Sequence, residues 1–135
     1  MSAAPAYVRF RSTAANARGV QVGVFALANG LAHDDRLDAA QRRWWRAAND
    51  WYDAAYAAPS ADEDGPYDRD RHPGAVAWFK ADASHLLERV DGYLALLDAH
   101  GVPWERAVSD DPGRIVYEDD VQVVAVPRAT GEAPR

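Results

Sequence analysis

The sequence predicts an α+β fold, a two-layer sandwich in which about three helices pack on one face of a mainly antiparallel sheet of four to five strands. Short apolar segments with strand periodicity alternate with helical segments over the first three quarters of the chain. The last quarter carries strand-type segments separated by turn residues. Together these patterns give the element order β-α-α-β-α-β-β-β and place the helices on the sheet.

The spacing of apolar side chains defines each element. Alternation with a period of two predicts strands, and apolar residues three and four apart predict helices. Turn residues and prolines set the boundaries. The predicted elements are strand 7–11, helix 23–33, helix 37–56, strand 75–80, helix 82–101, strand 102–109 and two strands within 115–126 that are joined at 118–120.

Individual residues mark the predicted helix ends. Asp38 and Asp82 are the expected N-caps of the second and third helices, because a short carboxylate accepts the free amide hydrogens there. Gly101 is the expected C-cap of the third helix. The last three strands follow one another closely, so we expect them to pair as an antiparallel meander.

Bulk composition limits the classes of function. The chain has 135 residues and no cysteine, which indicates one domain and excludes disulfides and cysteine nucleophiles. A net charge of −6 without a basic cluster argues against nucleic-acid binding. No apolar run approaches the ~20 residues of a membrane helix. The first residues do not resemble a secretion signal, so we expect a cytoplasmic protein.

The flanks of the domain and one internal segment are rich in turn residues. Residues 1–6 and 127–135 are rich in Ala, Pro and other small residues, and we predict disordered tails around a single domain at 7–126. The polar segment 59–74 is the longest predicted loop, either a lid or a connector.

Three segments carry a resemblance to known sequences. They read HPGAVAWFK at 72–80, NDWYDAAY at 49–56 and LLDAHGVPWERAVSDDPGRIVYEDDVQVVAVP at 96–127. The chain resembles a group of small bacterial proteins over most of 7–127, with WFK and PGRIVYEDDVQVVAVP as the most specific parts. The resemblance implies a compact, self-standing domain, and it implies no activity, ligand or catalytic residue.

Lys80 is the single lysine of a chain whose Lys and Arg total 15. The predicted strand ends at Lys80 and a helix begins just after it, a place where free amide groups attract anions. Lys80, Ser84 and His85 together would suit a carboxylate or phosphate. A buried Lys80 with a lowered pKa would act as a base or amine nucleophile. The simpler interpretation, which we favour, is a lysine at a strand end that reaches solvent.

Helix 37–56 presents two aromatic stripes. The predicted core stripe comprises Ala40, Trp44, Ala47, Ala48, Trp51 and Ala55. The second stripe, about 100° away, comprises Trp45, Tyr52 and Tyr56, with Asn49 beside them. Either both stripes are core, or the second one meets a partner or lines a ligand pocket, since aromatic residues are enriched in both.

Histidines next to carboxylates are candidate metal ligands or catalytic groups. His33, His72 and His85 each lie near acidic residues, and His85 is one turn from Glu88. A metal site needs three or four ligands, and no paired-histidine motif is present, so we expect no metal and no cofactor. The acids at 110–111 and 118–120 are either a catalytic pair or, as we favour, solvated turn residues.

The first functional hypothesis is a binding protein. We expect a protein that binds a macromolecular partner in a regulatory, accessory or inhibitor-like role, or that self-associates. The chain has no phosphate loop, nucleophile elbow or triad motif, which favours a protein that is not an enzyme. The predicted binding residues are Trp45, Asn49, Tyr52 and Tyr56.

The alternative hypothesis is a small cofactor-independent enzyme or a domain that binds a small ligand. Its site would lie near Lys80 and His85, with His72 supplied by the long loop. Burial separates the two hypotheses. Exposure of the second aromatic stripe favours the binding protein, whereas a deep pocket that joins Lys80 and His85 to Trp78 or Trp104 favours the alternative.

Overall fold

A computed structural model of the chain describes residues 6–17, 19–55 and 72–127. These residues form three helices and a five-stranded sheet in the predicted order, which confirms the α+β class. Tyr56, most of the 59–74 loop and the predicted tails apart from Ala6 and Pro127 lie outside the described residues. The elements are β1 (Tyr7–Ser12), α1 (Val24–His33), α2 (Ala39–Ala55), β2 (Val76–Lys80), α3 (Ser84–Ala99), β3 (Trp104–Ser109), β4 (Arg114–Glu118) and β5 (Gln122–Val126).

The sheet has the strand order β3-β1-β2-β5-β4, and every neighbouring pair is antiparallel. The expected meander of the last three strands is therefore wrong, because β3 lies beside β1 at the opposite edge from β4. Since β2 and β3 both run antiparallel to β1, they are parallel to each other, and α3 carries the chain across β1 to reach β3.

Side chains explain why β3 pairs with β1. The rings of Phe10 and Trp104 lie 6.3 Å apart on one face of the sheet. Arg11 and Glu105, directly opposite in the register, form an ion pair of 3.0 Å on the other face. Such cross-strand pairs stabilise one register over its neighbours.

The helices cover one face of the sheet and form the main core with it. Phe79 of β2 packs against α3, whose residues Leu86, Val90, Tyr93 and Leu97 are fully buried. Because side chains alternate along a strand, the neighbouring Trp78 and Lys80 point to the other face. On that face a smaller cluster contains Trp78, Val123 and Ala125.

The predicted cap of α2 is confirmed and is more complete than expected. The Asp38 carboxylate accepts the amide hydrogen of Gln41 at 2.8 Å, and the Gln41 side chain accepts the Asp38 amide at 3.0 Å. This reciprocal arrangement is a capping box, which fixes where the helix begins.

The predicted ends of α3 need correction. Asp82 does not cap the helix: Ala83 occupies that position, and no side chain bonds to the free amides there. Ala83 is buried and its amide bonds to the Lys80 carbonyl, so a tight turn leaves Asp82 exposed. Gly101 lies one residue beyond the C-cap, His100, with a φ of +68° that favours glycine.

Candidate functional site: the outer face of helix α2

The inward face of α2 is fixed by Tyr52. This side chain is 6% exposed, and its hydroxyl donates a hydrogen bond of 2.5 Å to the carbonyl of Leu86 in α3. Its ring lies edge-on to Phe25 of α1, at 4.9 Å between centroids. Burial, reinforced by the nearby Tyr93, raises the pKa of Tyr52 well above its usual value. Tyr52 therefore joins all three helices.

A small polar network holds the same face of α2 against α1 and α3. The indole nitrogen of Trp45 donates to the side-chain oxygen of Asn29 at 2.9 Å. The Asn49 amide nitrogen donates to that same oxygen, and the Asn49 oxygen accepts the hydroxyl of Tyr93. The polar tips of these large side chains are thus satisfied inside the protein, which makes their burial tolerable.

The stripe with the predicted binding residues faces inward, as in the alternative that places it in the core, whereas the predicted core stripe is mostly exposed. Tyr52 is buried, and Trp45 and Asn49 are partly buried, so three of the four predicted binding residues face inward. Tyr56, the fourth, lies outside the described residues. Trp44, which was predicted to be core, is 38% exposed.

We call the exposed apolar face of α2 the outer stripe. Its spacing along the helix is 4-3-4-3, the pattern of a helix that packs along its length against another helix. Among its members Trp51 is partly buried and the others are exposed. The outer stripe consists of Ala40, Trp44, Ala47, Trp51 and Ala54.

Trp44 of the outer stripe lines a groove between α2 and α3. The Trp44 ring lies against Gly92, where an added Cβ would approach a ring carbon to 2.1 Å, so α3 is shaped to receive this ring. The guanidinium of Arg89 stacks over Trp51 at 3.9 Å. The groove has a volume of about 290 Å³ and an alanine floor on its α2 side, with Glu88 and Arg89 at its α3 edge.

Lys80 is engaged in an ion pair. Its amino group lies 2.6 Å from a carboxylate oxygen of Glu118 on β4. The hydrogen bond to Glu118 raises the pKa of Lys80 above its usual value, the opposite of the lowered pKa that the catalytic alternative requires. A protonated amine is neither a base nor a nucleophile. The open depression beside it, about 330 Å³, is lined by Ala6, Tyr7, Lys80, Ala81 and Asp82.

The other proposed catalytic residues do not converge on Lys80. His85 is exposed in the first turn of α3, in the helical layer, whereas Lys80 points to the other face of the sheet. His72 precedes β2 and Lys80 ends it, so the strand separates them. Trp78 and Trp104 lie on opposite faces of the sheet, since one belongs to the second cluster and the other packs against the helical core.

The acidic turn between β4 and β5 has a structural role at Asp119. One carboxylate oxygen accepts the amides of Val121 and Gln122, and the other accepts the Tyr117 hydroxyl and the Gln122 side chain. Burial opposes ionisation of Asp119, but these hydrogen bonds outweigh it and lower its pKa below the usual value. Such a carboxylate forms the turn and is already saturated with donors.

Two features are absent from the described part of the chain. None of its helices combines the length and apolar content that crossing a membrane requires. Within the same residues, no three His, Asp or Glu side chains are grouped so as to hold a metal ion.

Comparison with known proteins gives no relative. No family model matches the chain, and no curated protein or solved structure is significantly similar to it.

Proposed function

We propose that the protein is a binding protein in a regulatory or accessory role, and that it contacts a helix of its partner through the outer stripe of α2. The observation that carries this proposal is the exposure of a long apolar stripe with helix-packing spacing on a helix that buries only Tyr52 among its described residues. A helix in a groove is a common form of protein recognition, in which anchors recur every three or four residues.

The residue types of this face support an interface. Tryptophan and arginine are the residues most enriched among those that dominate binding energy. Trp44 and Trp51 lie in the outer stripe, and Arg89 stacks on Trp51 and holds its ring in place. Rings held by their neighbours lose little freedom on binding, which favours affinity. Alanines between the rings allow close approach of a second helix.

The enzyme alternative has weaker support. It needs Lys80 and His85 in one pocket, whereas the depression beside Lys80 has no histidine in its lining. The amino group of Lys80 is already paired with the carboxylate of Glu118. No further observation in the described residues favours that alternative over the binding function.

Site-specific photo-crosslinking tests the proposed function. A benzophenone amino acid replaces Ala40, at one end of the outer stripe, and the cells of origin are irradiated. A matched variant carries the same group at Ala95, an exposed residue of α3 outside the groove lining. We expect one dominant protein adduct from position 40 that disappears when Ala47→Glu is added. Equal adducts from both positions, or none from position 40, would reject the proposal.

A further inference from the structure

We infer that the helix received by the outer stripe is α2 of a second copy of this chain, packed antiparallel about a twofold axis at Ala47. This inference rests on the proposed function and names its partner. It follows from three properties of α2: the symmetry of its apolar spacing, the positions of two charged residues, and their lack of partners within the described structure.

The outer stripe is symmetric about Ala47. Ala40 and Ala54 are each seven residues from it, and Trp44 and Trp51 are three and four residues from it on either side. In an antiparallel pair centred on Ala47, Ala40 of one copy therefore faces Ala54 of the other. Trp44 comes level with Trp51 of the second copy, within about one residue rise of 1.5 Å.

Two charges flank the outer stripe on the side away from the tryptophans. Arg43 and Asp50 are seven residues apart, so they lie on the same side of the helix, two turns from each other. Both are exposed, and neither forms an ion pair with any residue that the structure describes.

The twofold arrangement supplies both charges with a partner. Arg43 lies four residues before Ala47 and Asp50 lies three residues after it, so antiparallel packing brings Arg43 of each copy level with Asp50 of the other. Parallel packing would instead oppose arginine to arginine and aspartate to aspartate. Like charges that face each other destabilise an interface, so the charges select the antiparallel orientation.

The length of α2 sets the expected strength of the dimer. With 17 residues α2 is about 25 Å long, so a helix pair alone gives an interface at the small end of specific complexes. We therefore expect a dimer that dissociates on dilution, with a dissociation constant of roughly 1–100 µM. The close approach allowed by three alanines contributes to packing, and the tryptophans contribute most of the apolar area.

The first experiment measures the mass of the full chain by sedimentation between about 1 µM and 1 mM, a range that brackets the expected constant. We expect the mass to rise from 14.8 kDa towards twice that value. Arg43→Asp alone should weaken the dimer roughly tenfold, and Arg43→Asp with Asp50→Arg should restore it. Ala95→Glu on α3 is the matched control and should change nothing. A chain that stays monomeric throughout, or a dimer that ignores both charge changes, overturns the inference.

The second experiment reads the orientation directly. The chain has no cysteine, so single substitutions report unambiguously on proximity. Ala40→Cys and Ala54→Cys proteins are mixed and oxidised mildly. Antiparallel packing predicts the mixed disulfide in excess over both symmetric ones, because disulfides need Cα atoms within about 7 Å. Predominance of symmetric 40–40 and 54–54 products would refute the antiparallel arrangement.

The outcomes also separate this inference from the proposed function. A photo-crosslinked adduct of twice the chain mass supports both. An adduct with a different protein, together with a monomeric purified chain, leaves the proposed function standing and overturns the second copy as partner. Absence of any adduct at position 40 removes the proposed function, and a concentration-independent monomer then removes the inference as well.

Discussion

Helices α2 and α3 are nearly equal in length but differ in what they bury. α3 has 16 residues and six of them are buried, whereas α2 has 17 residues and buries only Tyr52. Yet apolar and polar side chains are more sharply separated on α2 than on α3. Sharp separation on a helix is normally taken as a sign of packing on the protein's own core. Here the more sharply divided helix is the one that leaves its apolar stripe exposed.

The two faces of α2 differ in the side chains they carry and in what those side chains contact. α2 attaches to its own domain through side chains with apolar rings and polar tips, such as Tyr52 and Trp45, whose tips are hydrogen-bonded inside. Its outer stripe stays exposed except at Trp51, which is partly buried. α3 has no such division, since its leucines and Tyr93 fill the space between the sheet and the other helices.

The largest expected effect compares the two helices by truncation. Leu97→Ala in α3 removes a fully buried side chain and should lower the free energy of unfolding by about 2–5 kcal/mol. Trp44→Ala removes a larger but exposed side chain and should cost about 1 kcal/mol. Urea unfolding at about 1 µM protein, at the low end of the range expected for the dimer, measures both. Equal losses would show that Trp44 is buried in the free protein. The two helices would then not differ in how deeply they bury their apolar side chains.

A smaller effect is expected at the hydroxyl that joins α2 to α3. Tyr52→Phe removes the hydrogen bond to Leu86 and should lower the free energy of unfolding by about 1 kcal/mol at neutral pH. Because the folded pKa of Tyr52 is raised, its stabilisation is complete below about pH 10, where unfolded tyrosine ionises, and declines at higher pH.

The pH dependence provides the control for this variant. The difference between wild type and Tyr52→Phe should shrink when unfolding is measured between about pH 9 and pH 11. Tyr93→Phe should behave in the same way, since burial also raises the pKa of Tyr93. A difference that stays constant over this interval would mean that the hydroxyl of Tyr52 is not protected from solvent.

The smallest effect is expected where the Trp44 ring rests on α3. There the sign of the change in the free energy of unfolding is the informative result. In the wild type, Gly92→Ala places a methyl group within 2.1 Å of the Trp44 ring, so it should destabilise the protein. In a Trp44→Ala background the same change should stabilise it by up to about 1 kcal/mol, because alanine favours the helix. A double-mutant cycle by urea unfolding gives both values. An identical effect in both backgrounds would show that the ring does not rest on Gly92.

The sequence was sufficient for most elements because their signals are local. Alternation around Val8 and Phe10 identified β1, and the carboxylate of Asp38 marked the start of α2. These local signals do not determine the order of the strands in the sheet. The pairing of β1 with β3 includes the contact of Phe10 with Trp104, residues far apart in the chain, which no local pattern contains.

The proposed site lies on the helix that the sequence singles out, but on the other of its two stripes. Periodicity identified two stripes on α2, and it could not tell which one faces the core, since both contain tryptophan. Which stripe faces the core depends on hydrogen-bond acceptors in the other helices, namely Asn29 for Trp45 and the Leu86 carbonyl for Tyr52. The sequence contains the spacing that marks the outer stripe, but helical periodicity alone predicts that it faces the core. The ion pair of Lys80 with Glu118, a residue of β4, likewise joins segments that no local pattern links.

The central position of β1 has a consequence for how the chain is made. This strand is synthesised before the other described elements of the domain, yet both of its neighbours, β2 and β3, come from the second half of the sequence. Contacts between such distant segments close large loops and slow the search for the native state. Until β3 is synthesised, at least one edge of β1 has no partner strand. An unpaired apolar strand is a template for aggregation. We therefore expect the domain to complete its fold only after nearly all of it has been translated.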